Sequence, residues 1–317
     1  MIISASRRTD IPAFYGDWFL NRIREEFVLV RNPFNSQQVS RVSLSPDNVD
    51  CIVFWTKDPA GFLGRLEELD RRGFHYYFLF TLTPYGKDIE TDLPDKDELV
   101  STFIKLSGMI GKEKVIWRYD PVVITDRLDR AYHEQEFRSL AQKLAPYTNR
   151  CVISFLDFYA KTKRNMKDVN AIESDEASMR GLAANFAGTC RENGLQLQTC
   201  AENIDMTDIG VPPGKCIDDE RIAAILGRNI SIPRAPGQRT TCKCASSVDI
   251  GAYNSCPHHC LYCYANYSVE QVRSNTALHD PNSPFLIGRE CNGDRISEKR
   301  QEPLTGSEDR MRQPESL

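Results

Sequence analysis

The chain has 317 residues, 41% of them apolar and 26% charged, with a formal net charge of −4. This is the balance of a soluble globular protein, long enough to bury a substantial core in one large or two medium domains. It speaks against non-specific binding to a phosphate backbone, while leaving room for a local basic patch, and no apolar run nears the roughly 18 residues that span a bilayer.

In chain order, Ile2–Ser6 is the first short apolar segment that closes in polar residues. The charges of Arg7 and Arg8 follow it, the reverse of a secretory signal, so a cytoplasmic protein with no membrane partner is expected. Further segments of the same kind are Cys51–Lys57, Tyr76–Thr83, Val115–Asp120, Cys151–Asp157 and Leu195–Cys200. Continuous β-branched and aromatic runs of this length suit strands buried on both faces of a parallel sheet.

Helical spacing separates them. Ala60–Arg72 puts Phe62, Leu63, Leu66 and Leu69 on one face, and Leu99–Ile110 does so with Phe103, Leu106 and Ile110. Phe137–Leu144 and Ala177–Asn193 are further helices, and Gly73 and Gly194 stand where helix-ending glycines are expected. The alternation predicts an α/β fold of βα units, a TIM-barrel-like or partial barrel, in a single domain over 1–296. Val211–Gly214 reads as a turn, Asp218–Leu226 as a short helix and Ser231–Arg239 as a Pro/Gly connector. A cysteine-rich segment covers 240–268, and the charged stretch 297–317 reads as a disordered tail.

In such folds chemistry gathers at the C-terminal ends of the strands. Those ends carry Arg7, Arg8 and Asp10; Lys57; Thr81 and Thr83; Arg118 and Asp120; Asp157; and Cys200 with Glu202. Taken together they predict one polar mouth, although each alone also suits a cap or a surface group. The arginines are suited to gripping a carboxylate or phosphate, or to ion pairing at the rim.

Of eleven cysteines, five fall between Cys242 and Cys263, and clustered thiols in a reducing compartment read as metal ligands. Cys256, Cys260 and Cys263 have the spacing C-x3-C-x2-C, with His258 and His259 expected to be exposed on the loop. A fully protein-ligated cubane takes four cysteines, so three on one loop hold a 4Fe–4S cluster with one iron left for another ligand. Structural zinc is the alternative, with His258, His259, Cys242 and Cys244 available as ligands. Cys242 and Cys244, with Cys200 and Cys216, form a candidate second site for an iron–sulfur cluster or zinc, unless Cys200 and Cys216 are merely buried small hydrophobes.

From Ile2 to about Arg295 the chain resembles a bacterial family defined as a domain of unknown function, whose C-terminal cysteines look like the radical SAM cluster motif. The resemblance is carried by Ser4–Asp10, Phe54–Pro59, Trp117–Pro121 and Asp249–Asn254. The Thr-Lys and Arg-x-Asp-Pro pieces are also similar to strand ends of spore photoproduct lyase-like radical SAM proteins. The resemblance implies S-adenosylmethionine as the ligand of the open iron, Tyr262 packed near its adenine and Lys57 on its carboxylate. Thr81, Thr83, Arg118 and Asp120 would then line the cofactor, with Arg7, Arg8, Asp10 and Glu202 as catalytic candidates. Since the cysteine loop follows the sixth strand, it implies a circularly permuted barrel in which Val248–Asn254 replaces the usual first strand, and a helix continuing from Cys260–Asn266.

The activity so implied is reductive cleavage of S-adenosylmethionine, with an external one-electron reductant of flavodoxin or ferredoxin type. The substrate stays open among small molecules, peptides and nucleic acid. Two other classes fit the residues: an iron–sulfur electron carrier or redox sensor, and a zinc-stabilised binding module.

Overall fold

The computed structural model describes residues 1–299 except Ser231 and Pro236. In chain order the strands and α-helices are β1 (Ile2–Ala5), α1 (Ile11–Phe14), α2 (Gly16–Glu25), β2 (Phe27–Asn32), β3 (Asn35–Ser43) and β4 (Cys51–Thr56). Then come α3 (Leu66–Arg71), β5 (Tyr76–Thr81), α4 (Lys96–Ile110), β6 (Val115–Val122), α5 (Arg130–Leu144) and β7 (Arg150–Phe155). The series closes with α6 (Ala160–Asn165), α7 (Glu176–Glu192), β8 (Gln196–Thr199), α8 (Asp219–Leu226), β9 (Val248–Asp249), α9 (Val269–Thr276) and β10 (Arg295–Glu298).

All six expected strands form, and they lie in one seven-stranded sheet ordered β8-β7-β6-β5-β4-β1-β9. Every pairing in it is parallel, for example Ile2 beside Cys51, Phe80 beside Trp117 and Cys151 beside Leu197. The chain crosses this sheet in one direction only, from β1 to β8. Right-handed crossovers moving one way put their helices on one face.

The burial pattern agrees, because alternate residues of each strand point to opposite faces. Ile3, Phe54, Phe78, Trp117 and Ile153 share a core with Phe19, Phe62, Phe103, Phe137 and Phe186 from the helical side. Trp117 stacks on Phe137 at 4.9 Å, and Phe137 on Phe186 at 4.0 Å. Each ring so buried contributes roughly 1.5–3 kcal/mol. Ile2, Val53, Tyr77, Leu79, Ile116 and Val152 face the other way, and are covered by Cys216, Ile217, Ile222, Cys242, Cys244 and Ala245. Gly73 and Gly194 end their helices at φ +76° and +69°, where a side chain would be strained.

β9 takes the outer place beside β1, pairing Ile3 with Val248 and Ser4 with Asp249. It is shorter than the expected Val248–Asn254 strand, because the backbone turns at Gly251 towards the cysteine loop. No helix continues from Cys260–Asn266. That segment is turns, and α9 starts only at Val269, where the Ser268 side chain caps Gln271. A second sheet, β10-β3-β2, escaped the sequence reading. Its β10 takes in Ser297 and Glu298, the first residues of the expected tail, while residues 300–317 lie outside the described residues.

Candidate metal centre

The end of β1 and the end of β9 are tied by one carboxylate. Asp249 accepts hydrogen bonds from the Ser4 hydroxyl at 3.0 Å, the Ser6 hydroxyl at 2.7 Å and the Arg7 amide at 2.8 Å. Only glycine fits at 251, since a Cβ there would stand 2.1 Å from Ser6 Oγ and 2.6 Å from Ser6 Cβ. The cysteine loop begins five residues later. Segment 89–92 holds it through Leu261 N–H to Ile89 C=O at 2.9 Å and Asp92 N–H to His258 C=O at 3.3 Å. Asn266 closes the loop by donating to the Cys256 carbonyl at 2.7 Å.

These contacts hold Cys256, Cys260 and Cys263 near the Asp10, Lys57 and Glu90 side chains at the strand ends, with Cys263 close enough to raise both Cys256 and Cys260 by charge. Burial raises all three thiols, and each of Cys256 and Cys260 is raised further by its thiol neighbours. Cys260 is pushed up to about 12 although Lys57 pulls the other way. Such thiols stay neutral until a metal displaces their protons.

Beside them lies a buried polar knot. Glu90 accepts from Lys57 Nζ and Thr83 Oγ1, both at 2.7 Å, and also pairs with Lys96 and the Tyr262 hydroxyl. Burial alone would raise the Glu90 carboxyl; the Lys57 and Lys96 ammoniums outweigh it and hold it at about 2. Burial likewise opposes the charge on Lys57, and Glu90 more than restores it. The Lys57 ammonium also lies 5.3 Å from the Tyr262 ring centre. Lys57, Thr83 and Tyr262 are thus brought together by a residue that sequence reading missed.

Asp10 serves the loop rather than open solvent. It accepts from the Lys57 amide at 2.7 Å, caps Ala13 at 3.0 Å and pairs with His258 Nε2 at 2.9 Å. His258 is therefore buried, contrary to the expectation of an exposed loop residue, because Asp10 supplies the partner that burial requires. His259 pairs with Asp92 at 2.5 Å.

Farther along the strand ends, Arg7 and Arg118 flank the Trp55 indole at 5.5 and 4.9 Å. Arg118 pairs with Asp120, which in turn accepts from Ser154, and Thr81 stands beside Arg118 in register. Arg8 turns away onto the Tyr253 ring, 5.1 Å from its centre. Glu202 accepts from the Phe155 amide at 2.8 Å, beside Asp157 and Arg239, and burial raises its carboxyl to about 7. Two clefts lie away from this mouth, one of about 380 Å³ along α5 and one of about 210 Å³ among Ile124, Ile172 and Leu182. Neither cleft is lined by Cys256, Cys260 or Cys263.

The second group of thiols includes a direct sulfur–sulfur contact. Cys200 Sγ lies 3.3 Å from Cys216 Sγ, and the Cys216 and Ile217 amides point at Cys244 Sγ from 3.3 and 3.5 Å. Hydrogen bonding with Cys216 and Cys242 holds the Cys244 thiol below its ordinary value and pushes theirs up. The Arg118 guanidinium stands 4.0 Å from Cys200 Sγ. Among the described residues, no three or more His, Cys, Asp or Glu side chains stand arranged around a metal ion. Of the other cysteines, Cys51, Cys151 and Cys190 are buried and Cys291 is exposed.

The model of the family described as Domain of unknown function (DUF1848) matches residues 2–265. The chain belongs to that family. The DUF1848 match spans the whole seven-stranded sheet and both thiol groups, and ends just past Cys263. No curated protein and no solved structure matches the chain. Among the described residues, no helix is long and apolar enough to cross a membrane.

Proposed function

We propose that this chain is an iron–sulfur enzyme of radical SAM type, binding a 4Fe–4S cluster through Cys256, Cys260 and Cys263. The observation that carries the reading is three thiols on one short loop, close enough to act on one another by charge, beside the Lys57–Glu90–Tyr262 knot at the strand mouth. The donor set fits: three soft ligands leave one corner of a cubane to a small molecule. On this reading the one-directional sheet is a partial barrel in permuted order, with β9 as its leading strand. The setting is the cytoplasm, and the electron source is a flavodoxin- or ferredoxin-type partner.

Bound there, the cluster supplies an electron that cleaves S-adenosylmethionine into methionine and a hydrogen-abstracting 5′-deoxyadenosyl radical. The chain's own residues bind and shield. Lys57 has three ammonium protons and spends one on Glu90, which leaves donors for a carboxylate. Tyr262, fixed by its hydroxyl on Glu90, presents a ring edge to an adenine. Thr81 and the Arg118–Asp120 pair border the same space, with Arg7 across Trp55. Asp10 acts as a positioning residue, locking His258 and hence the loop between Cys256 and Cys260.

The test is anaerobic purification, iron analysis, EPR of the reduced protein, and 5′-deoxyadenosine formation from S-adenosylmethionine with dithionite. Brown protein holding about four irons per chain and forming the product is expected. A full cluster without product would make it an electron carrier or sensor, and zinc without iron on this loop would make it a binding module. Lys57→Ala should weaken S-adenosylmethionine binding by about tenfold with iron unchanged. Undiminished affinity would remove Lys57 from the site.

A further inference from the structure

We propose that Cys200, Cys216, Cys242 and Cys244 are the four ligands of a single zinc ion, separate from the cysteine loop and independent of its chemistry. Three stretches of chain contribute: the end of β8, the turn before α8, and the C-x-C ahead of β9. Cys200 Sγ stands 3.3 Å from Cys216 Sγ, the Cys216 amide points at Cys244 Sγ from 3.3 Å, and Cys216, Cys242 and Cys244 share one packed cluster against which Cys200 lies.

Spacing decides between one ion and a cluster. A tetrahedral zinc–thiolate site, with Zn–S near 2.3 Å, has sulfur–sulfur edges of about 3.8 Å. Cys200 and Cys216 stand at 3.3 Å, so taking up the ion lengthens that contact by about half an ångström as the thiol protons leave. The ligands of a cubane each hold a different iron and stand wider apart.

The surroundings suit a thiolate centre. Two backbone amides already aim at Cys244 Sγ, and the Arg118 guanidinium approaches Cys200, which eases the negative charge of a tetrathiolate. The centre also has a structural task. The covering segment from Cys216 to Ala245 carries α8 and packs its thiols, Ile217 and Ile222 on the sheet face opposite the Phe103, Phe137 and Phe186 core. Zinc would pin both ends of that cover to the end of β8.

The experiment uses the full chain, made with iron and zinc supplied and purified without oxygen. Wild type and the Cys256→Ala/Cys260→Ala/Cys263→Ala variant should each hold about one zinc per chain. Cys242→Ser/Cys244→Ser should lose the zinc and keep the iron. Wild type without zinc, zinc lost with the loop cysteines, iron on the four thiols, or a Cys200–Cys216 disulfide in the isolated protein would each overturn the assignment. If the serine variant does not fold, cobalt(II) exchanged into wild type reads the same point. Strong tetrahedral sulfur-to-cobalt absorption is expected, and weak octahedral bands would overturn it. Absence of iron everywhere would sink the enzyme reading and leave the zinc result standing.

Discussion

The two thiol groups of this chain are built in opposite ways. Cys256, Cys260 and Cys263 lie within eight residues, and their mutual approach is a property of one loop held by its neighbours. Cys200, Cys216, Cys242 and Cys244 span 45 residues and meet only because the sheet and its cover have formed. The assembled group shows a direct thiol contact, Cys200 Sγ to Cys216 Sγ at 3.3 Å, whereas on the loop Cys263 acts on Cys256 and Cys260 through charge. Closeness in sequence therefore says little about how many metal atoms a set of thiols suits. Closeness of the sulfurs says more.

Substitutions on each side test whether the regions are independent. The largest effect is expected on the loop side, from Glu90→Ala. It strands the buried Lys57 ammonium and should cost about 3–5 kcal/mol in urea unfolding, because a lone buried charge is left behind. Iron loading should fall while zinc holds; parallel loss of zinc would show that the two regions act as one. Gly251→Ala comes next, since its methyl group enters the space of Ser6. It should cost about 1–3 kcal/mol by overpacking, and an unchanged melting temperature would show that the β1–β9 junction yields easily.

On the other side, the buried Tyr77 hydroxyl donates to the Cys216 carbonyl at 2.6 Å and accepts from the Asp218 amide at 3.1 Å. Tyr77→Phe should cost about 1–2 kcal/mol and speed zinc release to a chelator, leaving iron untouched. The smallest effect is a pH slope. Glu202 rises from 4.5 to about 7 on folding, mainly through burial, so its ionisation disfavours the native state. Its contribution to stability is unchanged below 4.5, declines as pH climbs to about 7, and is flat again above. Glu202→Gln should remove that decline from a series of urea midpoints; a persisting slope would assign it to another group.

What the sequence made legible follows from how local each cause is. The parallel strands were readable because burial on two faces leaves continuous apolar runs such as Tyr76–Phe80. The hairpin of β2 and β3 was not, since Asn35–Gln38 is exposed and polar, and its partner β10 comes from more than 250 residues away. The loop cysteines were visible as a motif. Glu90 was not, for it sits in a Pro- and Gly-containing segment and gains its meaning only from Lys57, Lys96, Thr83 and Tyr262. His258 was misjudged for the same reason, as its partner Asp10 stands 248 positions earlier.

The place of β9 beside β1 has a consequence for biosynthesis. A ribosome releases the chain from its amino end, so residues through Thr199 emerge, and six of the seven parallel strands can associate, before Cys256 is translated. The free flank of β1 then waits as the template for the last strand. On the iron–sulfur reading proposed above, loading would thereby be deferred until the mouth around it has been made, and a nascent chain stalled before residue 248 would have no loop to load.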